Sequence, residues 1–543
     1  MNDLGLLEVL PVLFWVALGL LTVGFCASLS DRRTSGGWFA AYILGLIAVL
    51  HATPALLYPT LRYGWAWKHV AIVDAMIRND GNVPVVEKLD VYNQWPGFFH
   101  LNAFVVQATG LESSLGYAVW APPVMNVLLL APLLLLYRAV TRDRRLIWGA
   151  AWVYYSCSWV GQDYFAPQAF AFLLFVVVIA VVLGQLSSSM RRPSSSSTGW
   201  PVGRLALVVL IQAVIVCSHQ LTPLMLISAL VALSLPRRNR RVVLPVLAAA
   251  VLLTTVWDAT VARPYVSAHL SEFLDALAEP DANVVSGLAT LGTAAPGQVL
   301  VSWVDRGLSA AVFLLAAIAF AVRPWVRRTG MPLLVLAPLP ILVANSYGGE
   351  MIFRAYLFAL PAAAFMISAL LFQWGRRPRL GALAVGPLLL AMLGGTLFGY
   401  YGKETANYFT KDEVAAARFV TAATPPGALI VSLTSDVPGL DMNYEKHPRI
   451  QLNEQDIEDL RRLAENPLEG LEAFIEGATV REPAYIILSR AQAAELYLTG
   501  TLPADTMQRL ETAMSDTWGF VPVYRNKDAV VFRYQNPDNW EQP

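Results

Sequence analysis

Long apolar runs separated by short polar connections fill the first 400 residues of this 543-residue chain. A transmembrane helix needs about 20 predominantly apolar residues, and several runs are shorter than that, so the span boundaries are approximate. The pattern predicts an α-helical polytopic membrane protein with about twelve transmembrane helices in a domain over residues 1–400. The runs lie near 6–28, 38–57, 117–137, 146–161, 167–185, 205–218, 221–235, 242–257, 307–322, 331–345, 354–373 and 381–400.

Residues 401–543 have a different pattern, in which charged helical stretches alternate with short apolar runs. Runs of four to eight apolar residues bounded by turn residues are typical of buried strands. The tail therefore predicts a water-soluble α/β domain. Its expected strands are 428–433 and 484–489 and a hairpin of 520–526 with 529–534, and its expected helices are 412–423, 454–478, 490–498 and a last one from 511.

Composition supports a membrane protein. Hydrophobic residues make up 56% of the chain and charged residues 14%, against about 25% charged in soluble domains. The formal net charge is zero, so the chain lacks the basic excess of nucleic-acid-binding proteins. The three cysteines lie in apolar runs without CxxC spacing, which predicts small buried side chains rather than a disulfide framework.

Arginine clusters follow every odd-numbered apolar run and no even-numbered one. Short basic loops remain cytoplasmic, so this alternation predicts a multi-pass protein of the cell membrane with both termini on the non-cytoplasmic side. Two long outer loops, 58–116 and 258–306, and the C-terminal domain then lie outside. The clusters are Arg32 and Arg33; Arg138, Arg142, Arg144 and Arg145; Arg191, Arg192 and Arg204; Arg237, Arg238, Arg240 and Arg241; Arg323, Arg327 and Arg328; and Arg376, Arg377 and Arg379.

The first outer loop carries two polar motifs. Residues 62–81 have helical apolar spacing, which predicts a helix in the membrane interface with Trp65 and Trp67 as belt residues. Its polar side chains either anchor the helix or face a substrate, and they are Lys68, His69 and Asp74.

The second motif, residues 90–100, combines an acid, amides and aromatic rings before a Pro-Gly break. Aromatic rings beside hydrogen-bonding groups suit sugars, which present apolar faces and hydroxyl edges, although re-entrant loops have the same composition. The candidate binding residues here are Tyr92 and Asn93, and the candidate acid is Asp90.

Two further motifs fall at the same predicted membrane boundary. Asp163, beside Gln162, lies between the fourth and fifth runs. A carboxylate so close to the hydrocarbon region is energetically unfavourable unless it is paired or functional. The alternative is that Asp163 caps the following helix. His219 joins the sixth and seventh runs at the same depth, where a satisfied hydrogen-bonding role is the alternative to a catalytic one.

The last motif contains Glu350 and Arg354, four residues apart before the eleventh run. Side chains at this spacing share a helix face and can form an ion pair. The alternative is that Arg354 binds a phosphate, for which its planar guanidinium is well suited.

This layout resembles the GT-C superfamily of membrane glycosyltransferases: a long outer loop with an acid, an acid in the next outer loop (here Asp163), and a soluble outer domain. The resemblance implies a sugar donor linked to polyprenyl phosphate and an envelope glycan or lipid acceptor. It also implies that Asp74 or Asp90 acts as general base, that Asp163 positions the acceptor or binds a divalent cation, and that Lys68 and Arg354 contact phosphate. The sequence departs from the family pattern because Pro59 to His69 contain no acid.

Three other functions remain open at this point. They are a polymerase or ligase of lipid-linked glycans, a transporter or flippase of a lipid-linked substrate, and a non-enzymatic assembly protein. A transporter would predict inverted repeats and charges near the bilayer midplane, whereas the polar motifs here collect at one face.

Overall fold

The computed structural model describes residues 1–31, 33–84, 87–191, 199–271, 294–344, 350–373, 378–477 and 483–535. Each predicted apolar run overlaps at least one helix, and the runs at 38–57, 117–137 and 331–345 each overlap two. The bundle helices are α1 Val12–Ser30, α2 Gly36–Ile47, α3 Thr53–Leu57, α4 Gly64–Arg78, α5 Gly97–Thr109, α6 Leu115–Ala118, α7 Ala121–Val140, α8 Arg144–Cys157, α9 Pro167–Arg191, α10 Val202–Ser218, α11 Thr222–Ser234, α12 Arg240–Ala259, α13 Arg263–Ala268, α14 Pro296–Val322, α15 Met331–Leu336, α16 Leu339–Ala344, α17 Met351–Leu371 and α18 Pro378–Tyr401.

Seven helical segments among the described residues are long and apolar enough to cross a membrane. Shorter apolar helices at 202–218, 222–234, 331–342 and 385–401 accompany them. The chain is therefore a multi-pass membrane protein, as the apolar pattern predicts. The seven segments are Val12–Ser30, Gly36–Leu57, Ala121–Val140, Pro167–Ser189, Arg237–Ala259, Pro296–Val322 and Met351–Leu371.

Two boundaries differ from the sequence prediction, and both shape the cavity described below. Helix α8 ends at Cys157 rather than at 161, and Gly161 adopts a φ of +68° in the irregular segment that follows. Helix α14 begins at Pro296 rather than at 307, so residues that were assigned to the second outer loop belong to a helix. Its first turn carries Pro296, which suits a helix start because proline has no N–H to leave unpaired.

The loop over 58–116 is mostly helical and packs as a second apolar cluster against the bundle. Helix α4 confirms the predicted helix at 62–81, but nine of its side chains are buried. The prediction of two belt residues is wrong for Trp67, which is 4% exposed and donates its indole N–H to the Leu61 carbonyl oxygen at 2.8 Å. Only Trp65, 45% exposed, remains available for an interfacial contact.

The C-terminal domain contains a five-stranded mixed sheet in the order β2-β1-β3-β5-β4. Strand β1 runs parallel to β2 and β3, whereas β5 is antiparallel to β3 and β4. The two predicted strands and the predicted hairpin are confirmed; β2 was not anticipated, and the expected helix at 454–478 is two helices. The elements are α19 Glu404–Asn407, α20 Lys411–Ala423, β1 Leu429–Ser432, β2 Arg449–Gln451, α21 Ile457–Glu465, α22 Pro467–Gly477, β3 Ala484–Ser489, α23 Arg490–Thr499, α24 Thr506–Asp516, β4 Phe520–Arg525 and β5 Ala529–Tyr534.

Hydrogen bonds join this domain to the bundle. The Ala295 N–H donates to the Leu498 carbonyl oxygen at 3.2 Å, and the Tyr497 hydroxyl donates to Asp3 Oδ2 at 3.1 Å. The domain therefore sits directly on the ends of α14 and α18.

Candidate active site

A cavity of about 620 Å³ lies where α14 and α18 approach the C-terminal domain. Its wall combines aromatic rings with both signs of charge, which is the usual character of a ligand pocket. The charged side chains that line it are Arg62, Asp163, Asp305, Arg306, Glu350, Arg354 and Lys403, together with His51.

Asp163, in the irregular segment between α8 and α9, is fixed in this wall by side chains from three helical segments. Asn126 Nδ2 donates to Asp163 Oδ2 at 2.7 Å, and the Tyr400 hydroxyl lies 3.0 Å from Oδ2 and 3.2 Å from Oδ1. His51 Nδ1 lies 2.7 Å from Oδ2. These contacts come from segments that are far apart in sequence. They hold the Asp163 carboxylate in the cavity wall, where its partners are side chains rather than the first N–H groups of α9.

His51 reaches Asp163 because its helix is locally distorted. Residues Ala48–Ala52 form a π-helical turn between α2 and α3, and such turns occur often at functional sites. The Tyr401 hydroxyl donates to the Leu50 carbonyl oxygen at 2.5 Å, which satisfies a carbonyl group of this turn. The His51 ring is 3% exposed and packs edge-on against Tyr400, 4.9 Å between ring centroids.

A buried ion pair between Arg62 and Glu404 holds Tyr400 in place. Arg62 donates to the Tyr400 carbonyl oxygen at 2.8 Å, and its guanidinium lies 4.7 Å from the centroid of the Tyr400 ring. The same guanidinium is 2.6 Å from Glu404 Oε1, and Glu404 also accepts from the Tyr58 hydroxyl at 2.7 Å. Arg62 is thus a positioning residue, since it orients the tyrosine that binds Asp163.

The surroundings keep Asp163 ionised. Burial raises the pKa of its carboxyl, but His51, Arg62 and the Tyr400 hydroxyl together outweigh burial and hold that pKa below its usual value. Oδ2 has several partners, whereas Oδ1 accepts only the longer Tyr400 contact among those found in the described chain. A carboxylate oxygen has two lone pairs, so Oδ1 retains capacity for a substrate hydroxyl.

Glu350 and Arg354 also line the cavity, and the ion pair expected from their spacing is present. Arg354 Nη2 lies 2.7 Å from Glu350 Oε2, while its Nη1 donates to Gln168 Oε1 at 2.6 Å. The Arg354 side chain is 10% exposed and the Glu350 side chain 56% exposed. Arg354 is therefore held rigidly at the wall, and its binding of phosphate stays a prediction. Gln162 lines the same wall.

Four of the predicted residues in the first outer loop lie away from this cavity. His69 is buried, with Nδ1 2.8 Å from the Phe165 carbonyl oxygen, and burial lowers its pKa to about 4. Asp74 accepts from the Ser113 hydroxyl at 2.9 and 3.0 Å, and Lys68 lies 4.5 Å from the centroid of the Trp65 ring. Tyr92 packs edge-on against the rings of His69 and Phe99.

Asn93 and His219 have local structural contacts. Asn93 pairs with both backbone polar groups of Val83 at 2.7 Å, and His219 Nδ1 accepts from the Thr222 N–H at 3.2 Å, as a helix-end residue does. The side chain of Asp90 lies outside the described residues. The structure thus brings Gln162, Asp163, Glu350 and Arg354 to one cavity and leaves the other described candidates outside its lining.

The described residues offer no preformed metal site. Within the described ranges, no three His, Cys, Asp or Glu side chains lie together in a way that would hold a metal ion. The divalent cation suggested by the resemblance does not fit the described residues, and no chemical step is assigned to one.

Several cavity residues were missed by sequence reasoning, namely His51, Arg62, Asp305, Tyr400 and Lys403. One usable signal existed, because an ionisable side chain inside a membrane span is a functional candidate by default. His51 lies within the second apolar run and meets that criterion. For Tyr400 and Lys403 the sequence offers no comparable signal, since aromatic and basic residues are common at span ends.

No protein-family model matches the chain, and no curated protein matches it by sequence. Solved structures do match it in fold. The crystal structure of the Archaeoglobus fulgidus oligosaccharyltransferase tethered to an acceptor peptide with an NVT sequon has a TM-score of 0.54 and 14% identity, over 94% of this chain and 75% of that one. The same enzyme in complex with zinc and sulfate has a TM-score of 0.52 and 14% identity, over 86% and 70%.

A second enzyme matches over nearly its full length. The crystal structure of ArnT from Cupriavidus metallidurans bound to undecaprenyl phosphate has a TM-score of 0.50 and 14% identity, over 92% of this chain and 98% of that one. Both enzymes are members of the GT-C superfamily. Identity this low shows the fold alone, and the chain accordingly has the fold of the GT-C membrane glycosyltransferases.

Proposed function

We propose that the chain is a membrane glycosyltransferase that moves a sugar from a polyprenyl-phosphate-linked donor to a hydroxyl group of an envelope glycan or lipid. The observation that carries this proposal is Asp163, an ionised carboxylate held by His51, Asn126 and Tyr400 in a cavity that also carries arginine and lysine side chains. Such a cavity meets both charge requirements of the reaction, a proton acceptor and cations for a departing phosphate.

The reaction forms one bond and breaks one. The acceptor oxygen attacks the anomeric carbon while the bond from that carbon to the phosphate oxygen breaks, and its electron pair leaves with the polyprenyl phosphate. The acceptor proton passes to Asp163 Oδ1, which makes Asp163 the general base in place of Asp74 or Asp90. Because the side chain is fixed before substrate binds, little reorganisation is needed at the moment of transfer.

Cations on the wall would stabilise the departing phosphate. Lys403 is exposed and lines the cavity, and Arg354 presents a guanidinium that Glu350 and Gln168 hold in place. Charge-assisted hydrogen bonds to phosphate are stronger than neutral ones. The apolar part of the wall includes Phe313 and Phe353, each 38% exposed, which gives a polyprenyl chain surface to cover.

The proposed side of the membrane follows from the arginine alternation, which puts the cavity and the C-terminal domain outside the cell. Reporter fusions after residues 143 and 239 should report the cytoplasm, and fusions after 90 and 543 the outside. A stable cytoplasmic signal from the end of the chain would contradict this orientation.

The activity test uses the full chain in detergent with a panel of polyprenyl-phospho-sugars and measures release of polyprenyl phosphate in the presence of envelope extract. Release with at least one donor, abolished in Asp163→Asn, is the expected result. A transporter or flippase would instead move the donor between leaflets of a proteoliposome without breaking its glycosidic bond, and that outcome would replace this proposal.

A further inference from the structure

Tyr63 has a backbone conformation that a tyrosine rarely adopts. Its φ is +75° and its ψ is 120°, outside the regions that residues with a Cβ atom occupy without strain. A residue stays in such a conformation only when the surrounding structure fixes it there, and strain of this kind collects at functional sites. Tyr63 also lines the cavity, so the strained residue belongs to the wall of the proposed site.

The residues on either side of Tyr63 impose this conformation. Arg62 is fixed by a buried ion pair. A Cβ atom added at Gly64 would lie 3.0 Å from Asp436 Oδ1, so the backbone there passes close to the C-terminal domain. Between these two residues, the Tyr63 N–H donates to the Asn407 carbonyl oxygen at 3.0 Å. These contacts together hold the Tyr63 side chain at one position in the cavity wall.

The Tyr63 ring packs against a second tyrosine of the same wall. It meets the Tyr164 ring edge to face, with 4.6 Å between centroids and 73° between planes. The Tyr164 ring in turn lies parallel to the His69 ring at 5.8 Å between centroids, and His69 is bonded to the Phe165 carbonyl oxygen at 2.8 Å. Residues of the outer loop that lie away from the cavity therefore hold its aromatic rings in place.

The polar atoms of this part of the wall are open to a ligand. Among the described residues, no group forms a hydrogen bond with the hydroxyl of Tyr63 or Tyr164, and both side chains are partly exposed and line the cavity. Glu350 is 56% exposed and contacts Arg354 through Oε2, which leaves its Oε1 available. The cavity of about 620 Å³ is of the size that holds a small ligand.

The chemistry of these groups favours a ligand that carries hydroxyl groups. Burial and the Glu350 carboxylate raise the pKa of the Tyr63 hydroxyl, so this hydroxyl stays protonated and can donate. Glu350 Oε1 can only accept. A sugar hydroxyl accepts from the first group and donates to the second, whereas an ionised phosphate has no hydrogen to donate to a carboxylate. The faces of the two tyrosine rings offer apolar surface to the C–H face of a sugar.

We infer that Tyr63, Tyr164 and Glu350 form a sugar-binding subsite of the cavity. The inference rests on the proposed function and names the residues that would recognise a sugar unit beside the reaction centre, since Tyr164 follows the proposed general base Asp163 in the chain. The sugar unit belongs either to the donor or to the acceptor, which share this chemistry, and the binding experiment distinguishes the two sources.

Binding measurements on the full chain in detergent use three sets of probes: farnesyl phosphate, a panel of farnesyl-phospho-sugars, and methyl glycosides of the same sugars. We expect wild type to bind at least one sugar-bearing probe. Tyr63→Phe keeps the ring and removes the hydroxyl, so it should weaken that binding about tenfold, the effect of one hydrogen bond, and leave the dissociation constant of farnesyl phosphate unchanged. A loss with phospho-sugars places the donor sugar in the subsite, whereas a loss with methyl glycosides alone places the acceptor there.

Two further variants sharpen the measurement. Glu350→Gln should also weaken the binding of sugar-bearing probes, because a neutral amide is a weaker acceptor than a carboxylate, but it should not weaken farnesyl phosphate, since it removes a negative charge from the wall. Tyr497→Phe is the matched control for the loss of a tyrosine hydroxyl. Tyr497 donates to Asp3 and is not part of the cavity lining, so every dissociation constant of this variant should equal that of wild type.

Melting temperatures separate recognition from structure. Tyr63→Gly and Tyr63→Ala both remove the ring, but only glycine adopts a positive φ without strain. The glycine variant should therefore melt at a higher temperature than the alanine variant, while both bind the sugar-bearing probes equally weakly. A glycine variant that melts no higher than the alanine variant would contradict the strain from which the inference starts.

The outcomes distinguish the subsite from the proposed function. If wild type binds a sugar-bearing probe and Tyr63→Phe binds it equally tightly, the subsite is wrong and the proposed function stands. If Tyr63→Phe weakens farnesyl phosphate, Tyr63 is a phosphate contact and the sugar subsite is again wrong. If wild type binds none of the sugar-bearing probes, the subsite fails, and the release assay with Asp163→Asn decides the proposed function by itself.

Discussion

Replacing Asp163 with asparagine removes the negative charge and the ability to take a proton while keeping the shape of the side chain. The structure indicates which way the new amide would turn. Oδ2 receives the Asn126 donor and faces His51 Nδ1, both at 2.7 Å, so the amide oxygen should occupy this position and the amide nitrogen should replace Oδ1. Most contacts then survive, and the loss of stability should stay within about 1–3 kcal/mol.

The effect on transfer should be larger, because an amide cannot act as a general base. General-base catalysis contributes about 10²–10⁴-fold, which corresponds to about 3–5 kcal/mol of activation free energy. The assay is the initial rate of polyprenyl phosphate release by Asp163→Asn and wild type, compared at equal amounts of folded protein.

Asp74→Asn is the matched control, since Asp74 was the other described candidate base. Among the described residues the Ser113 hydroxyl donates to the Asp74 side chain, an amide oxygen can still accept that bond, and Asp74 does not line the cavity. Substitutions away from a site usually change free energies by less than about 0.5 kcal/mol, or about twofold in rate. A large loss of rate in Asp74→Asn together with a normal rate in Asp163→Asn would refute the assignment of the base.

Three further predictions concern Tyr400, Glu404 and Asp74. Tyr400→Phe removes a donor to a charged acceptor, worth about 1.5–3 kcal/mol, and should lower kcat/KM at least about tenfold in the release assay. Glu404→Gln leaves the buried Arg62 guanidinium without its counter-charge and should lower the free energy of unfolding by about 3–5 kcal/mol in denaturant titrations. The double variant that also carries Arg62→Met should recover part of this loss. Burial raises the pKa of Asp74 to about 6, so its contribution to stability is full below about 4 and is lost as pH rises through 6. The stability of wild type relative to Asp74→Asn should therefore fall between about pH 4 and pH 6 in denaturant titrations.

The helices and strands of the fold were largely predictable because the chain contains two clear patterns, long apolar runs in the bundle and short apolar runs in the C-terminal domain. Apolar runs of spanning length fix the bundle helices, and short β-branched runs such as 484–489 fix the sheet. The errors fall at element ends, where α8 stops at Cys157 and α14 starts at Pro296. Apolar content cannot locate these ends, since Trp159 and Val301 are apolar and both line a cavity.

The candidate site was predictable only where a polar residue interrupts an apolar pattern. Asp163 stood out for that reason, and so did Arg354 beside Glu350. The partners of Asp163 come from α3, α7 and α18 and their neighbouring turns, and no local pattern encodes which of these helices meet. Tyr92, His69 and Asp74 illustrate the converse, because a polar composition that suits a sugar site instead holds an outer-loop cluster together.

The absence of an acid between Pro59 and His69 has a physical counterpart in the structure. Within this stretch, Arg62 lines the cavity and is fixed by Glu404 and Tyr400, and the preceding His51 contacts Asp163. The acids that line the wall instead come from later segments: Asp163 from the connection between α8 and α9, Asp305 from α14 and Glu350 from the residue before α17. The Asp163 carboxylate accepts hydrogen bonds from several side chains and is kept ionised, while Asp305 has an oxygen without a partner among the described residues. Acids in such different environments are suited to different tasks, and proton transfer is assigned to Asp163 because its carboxylate is held ionised at the cavity wall.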